Sequence, residues 1–263
     1  QRAVEQFDPD FVIAVDDEAQ QYVARQYAGK SRPRVVFAAI DHEPQTYGYT
    51  GAANVTGITE VLPLAAVRDA LLLARKGQPA RLAVLATSSP TGKGQLKQVQ
   101  AFDWAPHTVV EFHSLDDFAA WQTAIKAMDG KADALLVLSY EGLRVNPPAP
   151  GASAASHSSA DTHQAEIVRW IENNSKPLPI GLSIGYTENG GGLSIAPSAL
   201  AMGEVAATTT LQWLKAKPAI AAPPVSQGSH YSVAIRASAL QARKVELPSI
   251  YMEAARLEQL YFP

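Results

Sequence analysis

Short unbroken apolar runs alternate along this chain with stretches in which apolar residues recur at helical spacing. A short apolar run rich in β-branched residues is typical of a strand buried on both faces. We predict strands at Phe11–Val15, Val35–Ile40, Asn54–Glu60, Leu82–Ala86, Val109–Phe112, Ala134–Leu138, Leu178–Ser183, Leu193–Ala196 and Ser232–Ile235.

Helices are predicted between these strands. In Pro63–Arg75 the residues Leu64, Val67, Leu71 and Ala74 form one apolar stripe. Similar patterns predict helices at Asp17–Tyr27, from Gly92 to Phe102, from Ser114 to Met128, and at Thr162–Asn173, Pro197–Ala216 and Ser249–Leu260. Gly185–Gly192 is predicted to be a loop, and the Pro-, Ala- and Ser-rich stretch Asn146–Ser159 a surface loop.

The alternation of strands and helices predicts an α/β protein with mostly parallel sheets. Because the rhythm restarts at Arg81, we expect two similar lobes. Lobe 1 is predicted to comprise residues 1–60 plus 197–263, and lobe 2 residues 61–196. Hinge segments are expected near Thr59–Pro63 and Ser194–Ser198, where the chain would cross between the lobes.

Composition excludes several function classes. The net charge of −3 gives no reason to expect nucleic acid as a partner. No apolar run reaches the roughly 18 residues of a membrane span. The chain has 0 Cys, which excludes disulfides and thiolate chemistry.

The segment Val35–Glu60 contains the first binding-site candidate. Its strand is followed directly by a polar and aromatic loop with Asp41, His42, Tyr47 and Tyr49. In open α/β sheets, ligands bind beyond the carboxyl ends of the strands, so this loop is placed to contact a ligand.

An ordered set of segments resembles the ABC transporter substrate-binding protein family, which has the type I periplasmic binding protein fold. The segments are PDFVIAVDDEA, VVFAAIDHEPQTYGY, NVTGITEVLP, VEFHSLDDFAAWQ, ADALLVLSYEGL, EIVRWIENNSKPLPIG and ENGGGLSIAPSALAMGEVAATTTLQWLKAKPA. They cover nearly the whole chain. Family members carry about one further βαβ unit before the first segment, and this unit is absent from the present sequence.

The resemblance implies two Rossmann-like lobes joined by a hinge and closing over a small solute. It implies a periplasmic or otherwise extracytoplasmic protein that delivers the solute to an ABC permease and does no chemistry. We expect a monomer without a cofactor. Related domains also serve as ligand-sensing ectodomains of signalling receptors, and this alternative stays open. Some family members bind aromatic amino acids.

In such a protein, polar strand ends of both lobes converge on the ligand. The candidates from lobe 1 are Asp16, Asp17, Asp41, His42 and Glu60, and those from lobe 2 are Thr87, Ser88, Tyr140, Glu141, Ser183 and Tyr186. Asp16 or Glu141 could pair with a ligand ammonium group. Thr87 and Ser88 could hold an anion at a helix N-terminus. Tyr47, Tyr140 and Tyr186 could enclose an apolar ligand body.

Each candidate also has a structural interpretation. Asp17, Thr87 and Ser88 could be helix caps only. Asp41 could form an Asx-turn. Tyr47 and Tyr49 could pack their loop on its own sheet.

Two patterns suggest chemistry. Gly181–Gly185 matches the G-x-S-x-G nucleophile elbow around Ser183, with Glu204 and His230 later in triad order, which makes a serine hydrolase the weaker alternative. The elbow needs a helix directly after the serine, but the residues that follow Ser183 have a low helix propensity. His157, Asp161 and His163 could form a metal set, but they lack a zinc-site spacing, and we expect no metal.

Overall fold

The computed structural model describes residues 2–145, 157–216 and 222–263, with side chains from His163 onward in the second range. The chain forms two compact units. Unit 1 comprises Gln1–Val61 and Pro197–His230, and unit 2 comprises Leu62–Ala196 and Tyr231–Pro263. The chain therefore passes from one unit to the other at residues 61/62, 196/197 and 230/231.

Strands and helices alternate along most of the chain. The strands are β1 (Phe11–Val15), β2 (Arg34–Ile40), β3 (Val55–Thr59), β4 (Arg81–Ala86), β5 (Thr108–Ser114), β6 (Ala134–Val137), β7 (Leu178–Gly181), β8 (Leu193–Pro197), β9 (Ser226–Gln227), β10 (Tyr231–Arg236) and β11 (Tyr261–Phe262). The helices are α1 (Arg2–Phe7), α2 (Asp16–Tyr22), α3 (Leu64–Ala74), α4 (Pro90–Ala101), α5 (Phe118–Ala127), α6 (His157–Asn174), α7 (Ile184–Glu188), α8 (Ala199–Lys215), α9 (Ala237–Ala242) and α10 (Ser249–Leu257). Short 3-10 helices span Ala24–Tyr27 and Pro44–Tyr47.

Unit 1 contains a sheet with strand order β1-β2-β3-β9, joined by parallel ladders. β2 is buried on both faces, which explains its unbroken apolar run. Val36 and Ala38 pack with Met202, Ala206 and Trp213 of α8. Phe37 and other side chains of the opposite face pack with aromatic residues of the loops. β1 is an edge strand of this sheet.

Unit 2 contains a sheet with strand order β11-β10-β8-β7-β6-β4-β5. β4 lies in its interior, and successive side chains enter two different cores. Leu82 and Val84 belong to one cluster, whereas Ala83 and Leu85 belong to the cluster that contains Trp121 and Met128. This alternation is the period of 2 that a strand imposes on its side chains.

The α/β class with parallel sheets is confirmed, but the boundary between the units differs from the prediction. The sequence placed residues 197–263 in lobe 1, whereas Tyr231–Pro263 folds into unit 2. β10 lies beside β8 in the sheet, and Val233 and Ile235 share a core cluster with Ile195. The expected hinge segments contain the crossings at 61/62 and 196/197, and the crossing at 230/231 was not predicted.

Several local features also differ from the sequence predictions. Ile184–Glu188 is helix α7, so the loop prediction for Gly185–Gly192 was wrong there. The elements β9, β11 and α9 were not predicted. The predicted surface loop Asn146–Ser159 lies outside the described residues, apart from the first turn of α6. No helix within the described part of the chain has the length and apolar character to cross a membrane.

Candidate functional site

The predicted site residues of unit 1 lie at one edge of its sheet. Asp16 and Asp17 follow β1, Asp41 and His42 follow β2, and Glu60 follows β3. Because these strands are parallel neighbours, their carboxyl ends share the same edge. The structure therefore brings together the five residues that the sequence singled out from lobe 1.

Asp17 organises this edge. Its side chain is fully buried, and it accepts hydrogen bonds from the backbone N–H of Asp41 (2.8 Å) and of His42 (3.3 Å). The Tyr47 hydroxyl donates to the same carboxylate, and His42 Nδ1 lies 3.4 Å from Asp17 Oδ1. Asp17 is not the helix cap considered above, since the N-cap of α2 is Val15. Without exposed surface, Asp17 acts by positioning Asp41 and His42.

Tyr47 and Tyr49 pack the loop on its own sheet. Both are buried, the Tyr49 ring stacks on Phe37 with centroids 5.6 Å apart, and the Tyr49 hydroxyl donates to Gln20 Oε1 at 2.8 Å. The interpretation of these rings as loop packing is confirmed. Asp41 and His42 are half-buried at the start of the same loop.

Two residues with positive φ angles lie at this edge. Asp16 has φ 73°, and Ala39, next to the end of β2, has φ 53°. Ala39 lies where the register of β2 against β3 shifts between Phe37 and Ile40. Opposite the irregularity, a Cβ on Gly57 would come within 2.0 Å of the Phe37 carbonyl oxygen, so only glycine fits. Strained backbone of this kind clusters at binding sites.

Glu60 is the carboxyl group of this edge whose ionisation its surroundings disfavour. Burial, together with the negative charges of Asp16 and Asp17, raises the pKa of the Glu60 carboxyl to about 8. Near neutral pH most Glu60 side chains therefore carry a proton. The neighbouring Asp16 is exposed. Burial, the larger cause, disfavours a charge of either sign, whereas the negative charges of Asp16 and Asp17, the smaller cause, favour a cation beside Glu60.

In unit 2, the turn after β4 is held by a carboxylate that the sequence analysis missed. Asp116 accepts from the backbone N–H of Ser88 at 2.6 Å and from the Ser88 hydroxyl. These hydrogen bonds hold the pKa of the Asp116 carboxyl below its usual range. The N-cap of α4 is Ser89, whose hydroxyl accepts from Gly92 N, so neither Thr87 nor Ser88 is the cap.

This arrangement changes the expectation that Thr87 and Ser88 bind a ligand anion. Asp116 already occupies the donors of Ser88, and Thr87 is buried with its hydroxyl donating to Ser89 Oγ at 3.1 Å. The anion at this turn is a side chain of the protein itself.

Tyr140 and Tyr186 are core residues, which corrects the expectation that they enclose a ligand. Their exposed fractions are 1% and 0%, and their rings meet edge-on with centroids 6.2 Å apart. The Tyr186 hydroxyl donates to Glu172 Oε1 at 2.9 Å. A Cβ on Gly181 would lie 2.4 Å from the Tyr186 Cβ, so the ring fills space that a glycine leaves open.

Apart from the half-buried Ser88, the accessible candidates of unit 2 are Glu141 and Ser183. Glu141 is exposed, and its Oε2 accepts from the Ser139 hydroxyl at 3.0 Å and from Tyr140 N at 2.9 Å. Ser183 is half-buried, and a Cβ on Gly185 would lie 3.4 Å from its Oγ and 3.9 Å from the Tyr140 hydroxyl. Asn189, which was not predicted, donates to that hydroxyl at 3.3 Å.

The geometry around Ser183 does not support a nucleophile elbow. A helix does follow Ser183, contrary to the sequence prediction, but Ser183 has φ −128° and ψ 140°, which is relaxed extended backbone. A nucleophile elbow holds its serine in a strained turn. Glu204 and His230 belong to unit 1, whereas Ser183 belongs to unit 2.

No group of three or more His, Cys, Asp or Glu side chains suited to a metal ion occurs among the described residues. Of the set considered above, the side chains of His157 and Asp161 lie outside the described residues. His163 is exposed, with its Nδ1 3.5 Å from Glu166.

Several solved structures share this fold. An ABC domain in complex with L-Trp from Streptococcus pneumonia has 19% identity and a TM-score of 0.70, covering 96% of this chain and 80% of that one. A conserved domain protein from Vibrio cholerae has 15% identity and a TM-score of 0.69, covering 96% and 79%. A substrate binding protein with adhesive properties from Clostridium difficile has 16% identity and a TM-score of 0.63, covering 94% and 78%.

At these identities the similarity shows the fold alone. The fold is that of type I periplasmic binding proteins, as the sequence resemblance implied. No protein-family profile and no curated protein matches the chain.

Proposed function

We propose that this protein is an extracytoplasmic solute-binding protein that captures a small molecule with an ammonium group for an ABC permease. The observation that carries the proposal is the acidic edge of unit 1. Asp16, Asp41 and Glu60 lie there together, and the negative charges of Asp16 and Asp17 add to the effect of burial in raising the pKa of the Glu60 carboxyl. A ligand cation near Glu60 relieves this repulsion.

An amino acid is the ligand class that fits best. Its ammonium group pairs with Asp16 or Asp41, and charge-assisted hydrogen bonds of this kind are among the strongest that a site can offer. One protein of the same fold is in complex with L-Trp, which supports the choice. In unit 2 we propose Glu141 and Ser183 as ligand-contacting residues, because both follow strand ends and are accessible.

Thermal unfolding with a panel of amino acids and other amines tests the proposal. A ligand that binds the native state raises the melting temperature as its concentration increases. We expect Asp16→Asn, Asp41→Asn and Glu60→Gln each to reduce that shift. Asp129→Asn, an exposed carboxylate of unit 2, is the matched control and should leave it unchanged. A shift that survives all three site substitutions would place the ligand elsewhere.

The serine hydrolase alternative is not adopted because of the relaxed backbone at Ser183. Ser183→Ala should therefore change ligand affinity at most, and it should leave any ester hydrolysis unchanged. The receptor ectodomain alternative uses the same ligand site with a different partner. Co-purification with a permease, rather than with a signalling protein, would support the transport role.

A further inference from the structure

A cavity of about 420 Å³ lies in unit 2 at the end of the sheet opposite to the strand-end candidates. Two residues of its lining mark the amino ends of strands: Leu178 is the first residue of β7, and Asp133 directly precedes β6. Ser88 and Ser183 follow the other ends of β4 and β7. A strand such as β4 is roughly 17 Å long at about 3.3 Å per residue, so the cavity is distinct from the proposed ligand site.

The cavity has one apolar wall and several cationic groups. Leu71, Ala74, Leu178 and Val245 form the apolar wall. The cationic residues of the lining are Arg75, Lys176, Arg243 and Lys244. Its volume lies within the range of roughly 300–1,000 Å³ that is usual for small-molecule sites.

Asp133 is the carboxylate of this lining, and its charge is already compensated. It accepts from Arg81 N at 2.8 Å and from Arg81 Nε at 3.1 Å, and an Arg75 nitrogen lies 3.8 Å away. The hydrogen bond from the Arg81 side chain holds the pKa of the Asp133 carboxyl low. Asp133 therefore offers an incoming anion little unscreened repulsion.

Arg243 is also engaged. Its Nε donates to Glu172 Oε2 at 3.2 Å, and its Nη2 donates to the Glu172 carbonyl oxygen at 2.6 Å. Arg243 is thus fixed within the cavity lining and has few hydrogen-bond donors left for a ligand.

The other cationic residues of the lining are less fully paired than Arg243, and the ion pair of Arg75 with Asp133 is long, at 3.8 Å. Arg75 Nε is buried and has no hydrogen-bond partner among the described residues. Within the same part of the chain, no ion pair involves Lys176 or Lys244, and both side chains are exposed. A buried donor without an acceptor is costly, and an anion in the cavity would supply that acceptor.

Helix ends explain part of this pattern. Arg75 and Arg243 are the C-cap residues of α3 and α9, and Lys176 follows α6, where cations stabilise the helix dipole. The helix dipole does not explain why Arg75 Nε lacks a hydrogen-bond partner among the described residues. It also does not explain the cavity beside the apolar wall. Lys244 moreover has φ 57°, a conformation that favours glycine, yet this position carries a cation.

We propose that this cavity binds an organic anion, with its carboxylate or phosphate group on the Arg75 guanidinium and its apolar body against Leu71, Leu178 and Val245. A guanidinium group matches the geometry of both kinds of anion. Lys176 and Lys244 add favourable charge at the entrance.

Chemical-shift mapping on the full chain tests this site with phenyl phosphate, benzoate, inorganic phosphate and benzyl alcohol. Phenyl phosphate or benzoate should shift amides around Arg75 and Leu178. Benzyl alcohol lacks the charge and inorganic phosphate lacks the apolar body, so both should bind more weakly. Comparison of phenyl phosphate with benzoate shows which anionic group is preferred.

Two independent variants and one control complete the experiment. Arg75→Gln, and separately Lys176→Ala with Lys244→Ala, should each weaken binding roughly tenfold. Lys97→Ala, an exposed lysine of α4, should have no effect. The proposal is overturned if neither organic anion binds, if both variants bind as the parent does, or if benzyl alcohol binds equally well. Amine binding at the acidic edge should be unchanged in these variants, which separates this proposal from the proposed function.

Discussion

The hydroxyl of Tyr47 donates a hydrogen bond to the buried carboxylate of Asp17 and ties the loop after β2 to the start of α2. The backbone N–H groups of Asp41 and His42 donate to the same carboxylate. The positions of two proposed ligand-facing residues thus depend on a buried charge that cannot itself touch a ligand.

Removing the Tyr47 hydroxyl should destabilise the protein. Tyr47→Phe leaves the Asp17 carboxylate with one donor fewer in a buried environment, which costs about 1–3 kcal/mol. Urea unfolding measures this change in the free energy of unfolding. Tyr22→Phe is the control, since Tyr22 is 69% exposed and its substitution should change little. Equal stability of the two variants would mean that the bond contributes nothing.

Glu60 should make stability fall as the pH rises. The folded state keeps the Glu60 proton up to a pKa of about 8, whereas the unfolded state loses it near the ordinary pKa of 4.5. Between these values the folded state binds more protons, so the free energy of unfolding decreases with pH, by at most about 1.4 kcal/mol per pH unit for one group. Below that window the contribution is fully present.

Glu60→Gln should flatten this part of the pH profile. Urea unfolding at several pH values between 4 and 9 gives the two curves. Glu43→Gln, an exposed carboxylate of the neighbouring loop, should retain the parent slope. A parent profile that is already flat, or one that rises over this range, would contradict the raised pKa.

Gly92 is a packing requirement of the turn after β4. A Cβ at this position would lie 2.4 Å from the Thr87 carbonyl oxygen and 2.8 Å from Thr87 Oγ1. Gly92→Ala should therefore lower the free energy of unfolding by about 1–3 kcal/mol. Gly142→Ala is the matched control, because no atom lies within 4 Å of its added Cβ. Thermal unfolding compares the two, and a loss in the control alone would refute the steric argument.

Gly203 offers a substitution in the opposite direction. It lies inside α8, is exposed, and has no neighbour within 4 Å of an added Cβ. Alanine is preferred over glycine in a helix interior by up to about 1 kcal/mol, so Gly203→Ala should raise the melting temperature. A lower melting temperature would show that this helix face contacts something that a methyl group disturbs.

The sequence predicted the α/β class because the apolar runs of β2 and β4 and the stripe of α3 are local signals. It also predicted that the polar residues after β1, β2 and β3 lie close together, because the carboxyl ends of parallel strands lie at the same edge of a sheet. Which sheet a strand joins is not local. The run at Val233 and Ile235 identifies a strand but not its neighbour β8, so Tyr231–Pro263 was assigned to the wrong unit.

The expectation that Tyr140 and Tyr186 enclose a ligand was wrong for a related reason. Tyr186 follows a strand end, as a ligand contact would, but the absence of a side chain at Gly181 and Gly191 lets its ring enter the core. The adjacent glycines were a signal that could have indicated this burial. Asp116 was missed because its partner Ser88 lies 28 positions away, and sequence spacing alone carries no trace of such a pair.

Titration calorimetry with free L-amino acids and their N-acetyl counterparts tests the central claim most directly. Acetylation removes the ammonium charge and leaves the side chain unchanged. The acidic edge of Asp16, Asp41 and Glu60 predicts that at least one free amino acid binds and that its N-acetyl form binds roughly ten- to a hundredfold more weakly. Equal binding of the two forms, or binding of no free amino acid, would contradict the account.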